Sequence, residues 1–181
     1  MSLDWVRVDD YEAMSVLGAR RIADALEPGL REGRPVLLGL ATGNTMLVLY
    51  QHLAELLNER GQSLAQLHTF NLDEYVGPDA RWVPVDHPLS YRAYMDQNFF
   101  HRLHPKLGLN LENVHFPDPK YPGPFDARIR QLGGLDVQLL GIGFNGHIAF
   151  NEPMAESEIS VEAFAALPTR VIDLTELTIE T

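Results

Sequence analysis

The stretch Pro35-Val36-Leu37-Leu38-Gly39-Leu40-Ala41-Thr42-Gly43-Asn44-Thr45 decides how this chain is read. It begins as an unbroken apolar run and ends in a short polar turn. An apolar run of that length without alternation is a strand buried on both faces. From about Met46 to Arg60 the pattern turns helical, with Met46, Leu49, Tyr50, Leu53 and Leu57 on one face and Gly61 as a stop. Strand, glycine-containing turn and amphipathic helix in succession make the repeating unit of an α/β protein.

The same grammar extends outward. Upstream, Asp9-Asp10 can cap a helix running to about Glu27, ahead of Pro28-Gly29, with Ala19, Ile22, Ala23 and Leu26 inward. Downstream, Leu67–Leu72 reads as a second strand and Ser90–Leu103 as a helix, in which Tyr91, Tyr94, Phe99 and Phe100 look like packing residues. Val114–Phe116 reads as a short strand, and Phe125–Leu132 as a helix ended by Gly133-Gly134. Val137–Ile142 reads as another buried strand and Thr169–Leu174 as a last one. The expectation is one Rossmann-like α/β domain over residues 1–181, its sheet mostly parallel, with helices on both faces.

Composition agrees with a folded domain. The 181 residues suit a single core, with 45% hydrophobic and 22% charged side chains. Fourteen Lys and Arg against 25 Asp and Glu leave a net charge of −11. That balance argues against a nucleic-acid groove and against docking on anionic membranes. It leaves room for a small anion, which backbone N–H groups can hold without net charge. No cysteine is present, so disulfides and thiolate chemistry are excluded. With no signal-peptide pattern at the start, a cytoplasmic location is expected.

Three of the expected strands end in polar segments. Thr42-Gly43-Asn44-Thr45 follows Leu40, Asp73-Glu74-Tyr75 follows Leu72, and Gly143-Phe144-Asn145-Gly146-His147 follows Ile142. In open α/β sheets ligands bind beyond the carboxyl ends of the strands. If the strands are parallel, these segments meet at one crevice. Thr42–Thr45 offers hydroxyls and the free N–H groups of a helix start to an anion, although a tight turn with an N-cap would read the same. It matches neither the dinucleotide fingerprint nor the P-loop. Of Asp73 and Glu74, one carboxylate desolvated at the strand end suits a general base, whereas the plainer reading has one cap a helix and the other face water. Glycines on both sides of Asn145 present His147 at a strand end, and Glu152 lies close enough in sequence to orient its imidazole. His101 and His104 sit among basic neighbours, and neither they nor His147 with Asp73 form a ligand set, so no metal is expected.

Four blocks then carry a resemblance. Gly39–Thr45, Thr69–Gly77, His87–Tyr91 and Gly143–Pro153 resemble the glucosamine-6-phosphate deaminase/isomerase family, in the family's order. The last block, Gly143–Pro153, is the most specific, since the related 6-phosphogluconolactonases share its Gly-His step but follow it with a segment other than Phe150-Asn151-Glu152-Pro153. The resemblance implies a modified Rossmann-like fold, no cofactor, and conversion of glucosamine 6-phosphate and water to fructose 6-phosphate and ammonia. It implies Asp73 as the base moving a proton between C2 and C1, His147 as the ring-opening group and Glu152 as its assisting carboxylate, with Asn145 beside them. Thr42, Gly43, Asn44 and Thr45 match part of the phosphate cradle, and Glu74 and Gly146 join the expected substrate contacts. A small sugar phosphate is the implied partner, with a homo-oligomer as a further expectation.

Asn145 stands where many members carry Asp, and Met46 where the usual residue is Pro. Members also continue past the equivalent of Thr181, with further strands and with an Arg and a Lys for the phosphate; neither has a counterpart here. Residues 154–168 occupy the place of a lid. Two other readings accompany the deaminase: a 6-phosphogluconolactonase-like hydrolase, and a non-catalytic sugar-phosphate-binding module.

Overall fold

The computed structural model describes residues 3–175. Helix α1 (Tyr11–Glu32) starts at Asp10, whose carboxylate accepts the Ala13 N–H at 2.8 Å. It does not stop before Pro28 but carries the proline inside and ends at Gly33 (φ 70°). Proline removes a single N–H and faces outward here, while Gly29 and Leu30 beyond it are buried. Their packing offsets the lost bond. Strand β1 (Val36–Leu40) is buried throughout, as expected. A one-turn 3₁₀ segment over Asn44–Met46 leads into α2 (Leu47–Arg60), which Gly61 closes.

Strand β2 (Leu67–Asn71) pairs parallel with β1, Val36 opposite Leu67 and Leu40 opposite Asn71. Helix α3 (Tyr91–Asn98) is capped by Ser90 and is shorter than Ser90–Leu103, because the backbone tightens into a 3₁₀ turn at Phe100–Arg102. Strand β3 (Val114–His115), helix α4 (Gly123–Gln131) and strand β4 (Val137–Gln138) follow. The four strands are ordered β3-β2-β1-β4, with every pairing parallel.

Helices cover both sheet faces. Val36, Leu38 and Leu40 meet Ala19, Ile22, Ala23 and Leu26 of α1 and Leu49, Tyr50, Leu53 and Leu57 of α2 in the main core. On the other face Phe70 packs against Phe125 of α4 with ring centroids 5.4 Å apart. The main core is one continuous cluster, so truncating Leu53 to Ala there costs about 2–5 kcal/mol.

Two expected strands are corrected. The ladder with β1 covers Val137 and Gln138 of Val137–Ile142 and closes with the Leu139 N–H on the Gly39 carbonyl at 3.0 Å; Leu140 and Ile142 are exposed. The strand lies at the sheet edge, so its continuation has neither a second neighbour nor a covering layer among the described residues. Thr169–Leu174 forms no strand, since no ladder partner meets it among those residues. Residues 154–168 hold a short exposed helix, α5 (Val161–Ala165), capped by Ser160.

Candidate functional site

Because β1, β2 and β4 are parallel, the segments after them emerge at the same edge of the sheet. Phe150 links two of them: its ring lies 4.9 Å from Tyr75 and 5.7 Å from Tyr91. Tyr75 and Tyr91 also pack edge to face at 5.0 Å. The third segment joins at Met46, whose Cε lies 3.1 Å from a Cβ built on Gly141. A cavity of about 770 Å³ opens beside Asp73 and is lined in part by Tyr75, Pro117, Phe125 and Phe150. His147 and the Thr42–Thr45 turn lie outside that lining.

Asp73 keeps part of its surface open while protein surrounds it closely. Burial, and secondarily the charge of Glu74, push its carboxyl up to about 7. A carboxylate poised there is suited to taking and returning a proton at neutral pH.

Glu74, the neighbouring carboxylate, is held by a dense set of bonds. Its side chain is 0% exposed and paired with Arg92 at 3.2 Å. Its Oε1 accepts the N–H groups of Tyr75 (2.8 Å) and Tyr91 (2.9 Å), and its Oε2 accepts the Arg92 N–H (2.9 Å) and the Ser90 hydroxyl (3.2 Å). The carboxylate thus satisfies the first N–H groups of α3, where the helix dipole favours a negative charge. With both oxygens committed below the surface, the Glu74 carboxylate ties Asp73's segment to α3.

Around His147 the backbone turns sharply. Gly146 has φ 92°, its N–H reaches the Gly143 carbonyl at 2.9 Å, and the Gly143 N–H reaches the His147 carbonyl at 2.8 Å. The imidazole lies directly on Gly143: a Cβ there would sit 2.2 Å from Nε2. Asn145 Oδ1 accepts the His147 backbone N–H at 3.1 Å and meets ring Nδ1 at 2.7 Å. Asn145 Nδ2 donates to Glu152 Oε2 at 2.7 Å, and Thr175 donates to Glu152 Oε1 at 3.0 Å. Glu152 therefore reaches the imidazole through Asn145 and not directly.

The Thr42–Thr45 turn holds its N–H groups free. Among the described residues the amides of Gly43, Asn44 and Thr45 donate to nothing in the protein. Gly43, at φ 140° and ψ 162°, takes a conformation open chiefly to glycine. The tyrosines of this neighbourhood were not legible as site residues. Tyr91 and Tyr94 share one face of α3, but they reach toward the site: Tyr91 packs on Phe150, and the Tyr94 hydroxyl donates to the Gly43 carbonyl at 2.7 Å. Their i, i+3 spacing directly after the Ser90 cap was the available signal. Among the described residues no group of three or more His, Asp or Glu side chains is placed to share a metal ion.

Residues 9–158 match the family described as glucosamine-6-phosphate isomerases/6-phosphogluconolactonase. The chain belongs to this family. Curated relatives include the glucosamine-6-phosphate deaminase of Thermoanaerobacter sp. (strain X514), 38% identical over 94% of this chain and 61% of its own length. The enzyme of the same name from Clostridium acetobutylicum is 40% identical over 97% of this chain and 66% of its own. The chain thus spans less than two thirds of these relatives. A solved structure described as a monomeric glucosamine-6-phosphate deaminase superposes with a TM-score of 0.76 at 31% identity, covering 97% of this chain and 66% of that one. The 6-phosphogluconolactonase of Trypanosoma brucei, at TM-score 0.57 and 22% identity, shares the fold. No helix among the described residues is long and apolar enough to cross a membrane.

Proposed function

We propose that this chain carries the catalytic part of a glucosamine-6-phosphate deaminase, converting glucosamine 6-phosphate and water to fructose 6-phosphate and ammonia. The observation that carries the reading is the place of Asp73, just past the end of β2 in the lining of the cavity, where burial pushes its carboxyl up to about 7. Isomerisation moves a proton from C2 to C1, alpha to a carbonyl or imine carbon. One base must lift that proton and deliver it to the neighbouring carbon, so a group near pH 7 does both at small cost.

Ring opening comes first and requires a proton for the ring oxygen. His147 is assigned that step. The Asn145 amide donates to Glu152, so its oxygen faces His147 and calls for the Nδ1–H tautomer. Nε2, unprotonated in that tautomer, takes the proton of the anomeric hydroxyl and returns it to the ring oxygen as the bond from C1 to that oxygen breaks, leaving the open-chain aldehyde. Glu152 acts as the positioning carboxylate behind Asn145. The N–H groups and hydroxyls of Thr42–Thr45 are assigned to the phosphate, at the start of α2. Gly146 allows the turn that brings His147 up, and Glu74 contributes by holding Asp73 and α3 together. The exposed segment 154–168 is assigned as a cover for the crevice. A cytoplasmic setting belongs to the same reading and is supported by the absence of cysteine.

The test is direct. The purified chain is incubated with glucosamine 6-phosphate, and ammonia and fructose 6-phosphate are measured together. Equal yields of both support the deaminase; hydrolysis of 6-phosphogluconolactone without ammonia release would replace it with the hydrolase reading.

A further inference from the structure

Three tyrosine hydroxyls from three helices end on the carbonyls of one short turn. Tyr50 of α2 donates to the Ala41 carbonyl. Tyr94 of α3 donates to the Gly43 carbonyl at 2.7 Å. Tyr11 of α1 donates to the Asn44 carbonyl at 3.0 Å, and its oxygen accepts the Val48 N–H of α2 at 3.3 Å. Burial pushes the Tyr94 hydroxyl up to about 12, with Tyr11 contributing, so Tyr94 stays a neutral donor across the working pH range.

A peptide unit is planar, and in its trans form C=O and N–H point in opposite directions. No cis bond occurs in the described chain. Fixing a carbonyl therefore fixes the N–H of the next residue. The Ala41 carbonyl sets the Thr42 N–H, the Gly43 carbonyl sets the Asn44 N–H, and the Asn44 carbonyl sets the Thr45 N–H. The second lone pair on two of these carbonyls is also used, since Met46 N–H reaches Gly43 O at 3.0 Å and Leu47 N–H reaches Asn44 O. Gly43 is where the turn most needs such anchoring, because glycine permits peptide rotations that other residues forbid.

We propose that Tyr11, Tyr50 and Tyr94 are positioning residues for an anion-holding turn, aiming the N–H groups of Thr45, Thr42 and Asn44 through the carbonyls that precede them. This rests on the assignment of Thr42–Thr45 to the substrate phosphate. With few cations in the chain, preset amides are the means by which this turn holds an anion: dipoles already aligned cost no reorganisation when the ligand arrives.

The test deletes hydroxyls only. Tyr11→Phe, Tyr94→Phe and the double variant are titrated with inorganic phosphate by calorimetry, and assayed with glucosamine 6-phosphate. Each single change is expected to weaken phosphate binding and raise KM by about 3–10-fold, the worth of one hydrogen bond. The double variant should lose more, with kcat within about twofold, since only ground-state and transition-state binding are lost together. Tyr121→Phe, an exposed position outside the turn, should leave both constants unchanged. Wild-type phosphate affinity in the double variant would overturn the proposal while leaving the phosphate turn in place. A fall in kcat and melting temperature at constant KM would also overturn it, as the mark of a merely structural role. If the unaltered chain binds no phosphate, the assignment of the turn falls and the proposal falls with it.

Discussion

Asn145 and His147 are joined twice, through the backbone N–H at 3.1 Å and through ring Nδ1 at 2.7 Å, both to the same side-chain oxygen. The amide cannot flip without turning its NH₂ onto His147 and its oxygen onto Glu152. One neutral side chain thereby sets both the orientation of the imidazole and its tautomer. Asn145→Leu removes both effects and is expected to lower kcat by about 10²-fold, the usual scale for a mis-set acid–base group. Asn145→Asp keeps the contact to His147 but puts two carboxylates at hydrogen-bond distance, where they must share a proton. Its activity should therefore fall more steeply than wild type as pH rises. A kcat profile across pH 6–9 separates the two variants.

Asp73 predicts a pH dependence of stability with an unusual sign for a carboxylate. Its folded value near 7 lies above the unfolded value near 4. Between those values the unfolded chain binds fewer protons, so Asp73 costs stability progressively as pH rises through the window. Asp73→Asn should raise the melting temperature at pH 8, on the order of 5 °C, and give no gain below about pH 4. Melting curves at the two pH values check this, and equal curves would place Asp73 in a wetter setting than described.

Glu74 couples the site to the fold. Glu74→Gln strips the charge that caps α3 and leaves Arg92 without its partner, at a cost of about 2–4 kcal/mol. It also removes one cause of the raised Asp73 value, so the acid limb of kcat/KM should move to lower pH. Chemical denaturation and a pH profile on one preparation test both halves.

The opposite face carries its own titration. His68 and His115 stack with ring centroids 5.7 Å apart, and their facing nitrogens are 3.4 Å apart. Burial, His68 and Arg128 of α4 lower His115 to about 4. Between that value and about 6.5 the unfolded chain binds more protons, so this pair costs stability as pH falls through that window. His115→Gln should melt less steeply with acid than wild type, and a melting series from pH 7 to 4 reads the difference.

Much of this was legible beforehand. The buried run Val36–Leu40 and the helical spacing of Leu49, Leu53 and Leu57 report burial directly, and burial follows apolar periodicity. The convergence of the three polar segments followed from parallel strands alone. Less visible was whatever depended on neighbours distant in sequence. Leu140 and Ile142 have the composition of a buried strand, yet an edge position left them exposed. Pro28 reads as a helix stop, but the helix continues because Leu30 finds a core to fill. The division of labour between Asp73 and Glu74 needed α3 to be placed, since only the N–H groups of Tyr91 and Arg92 reveal which carboxylate is the cap. The relay from Glu152 through Asn145 to His147 depended likewise on a turn whose closure no spacing announces.

The most direct test of the central claim follows the proton itself. Fructose 6-phosphate and ammonium are incubated with the chain in D₂O, and deuterium entering at C1 is measured by NMR for wild type and for Asp73→Asn. Enzyme-dependent deuteration at C1 is expected in the wild type, dropping by at least about 10²-fold in Asp73→Asn. Deuteration at the wild-type rate in that variant, or none in the wild type, would contradict it.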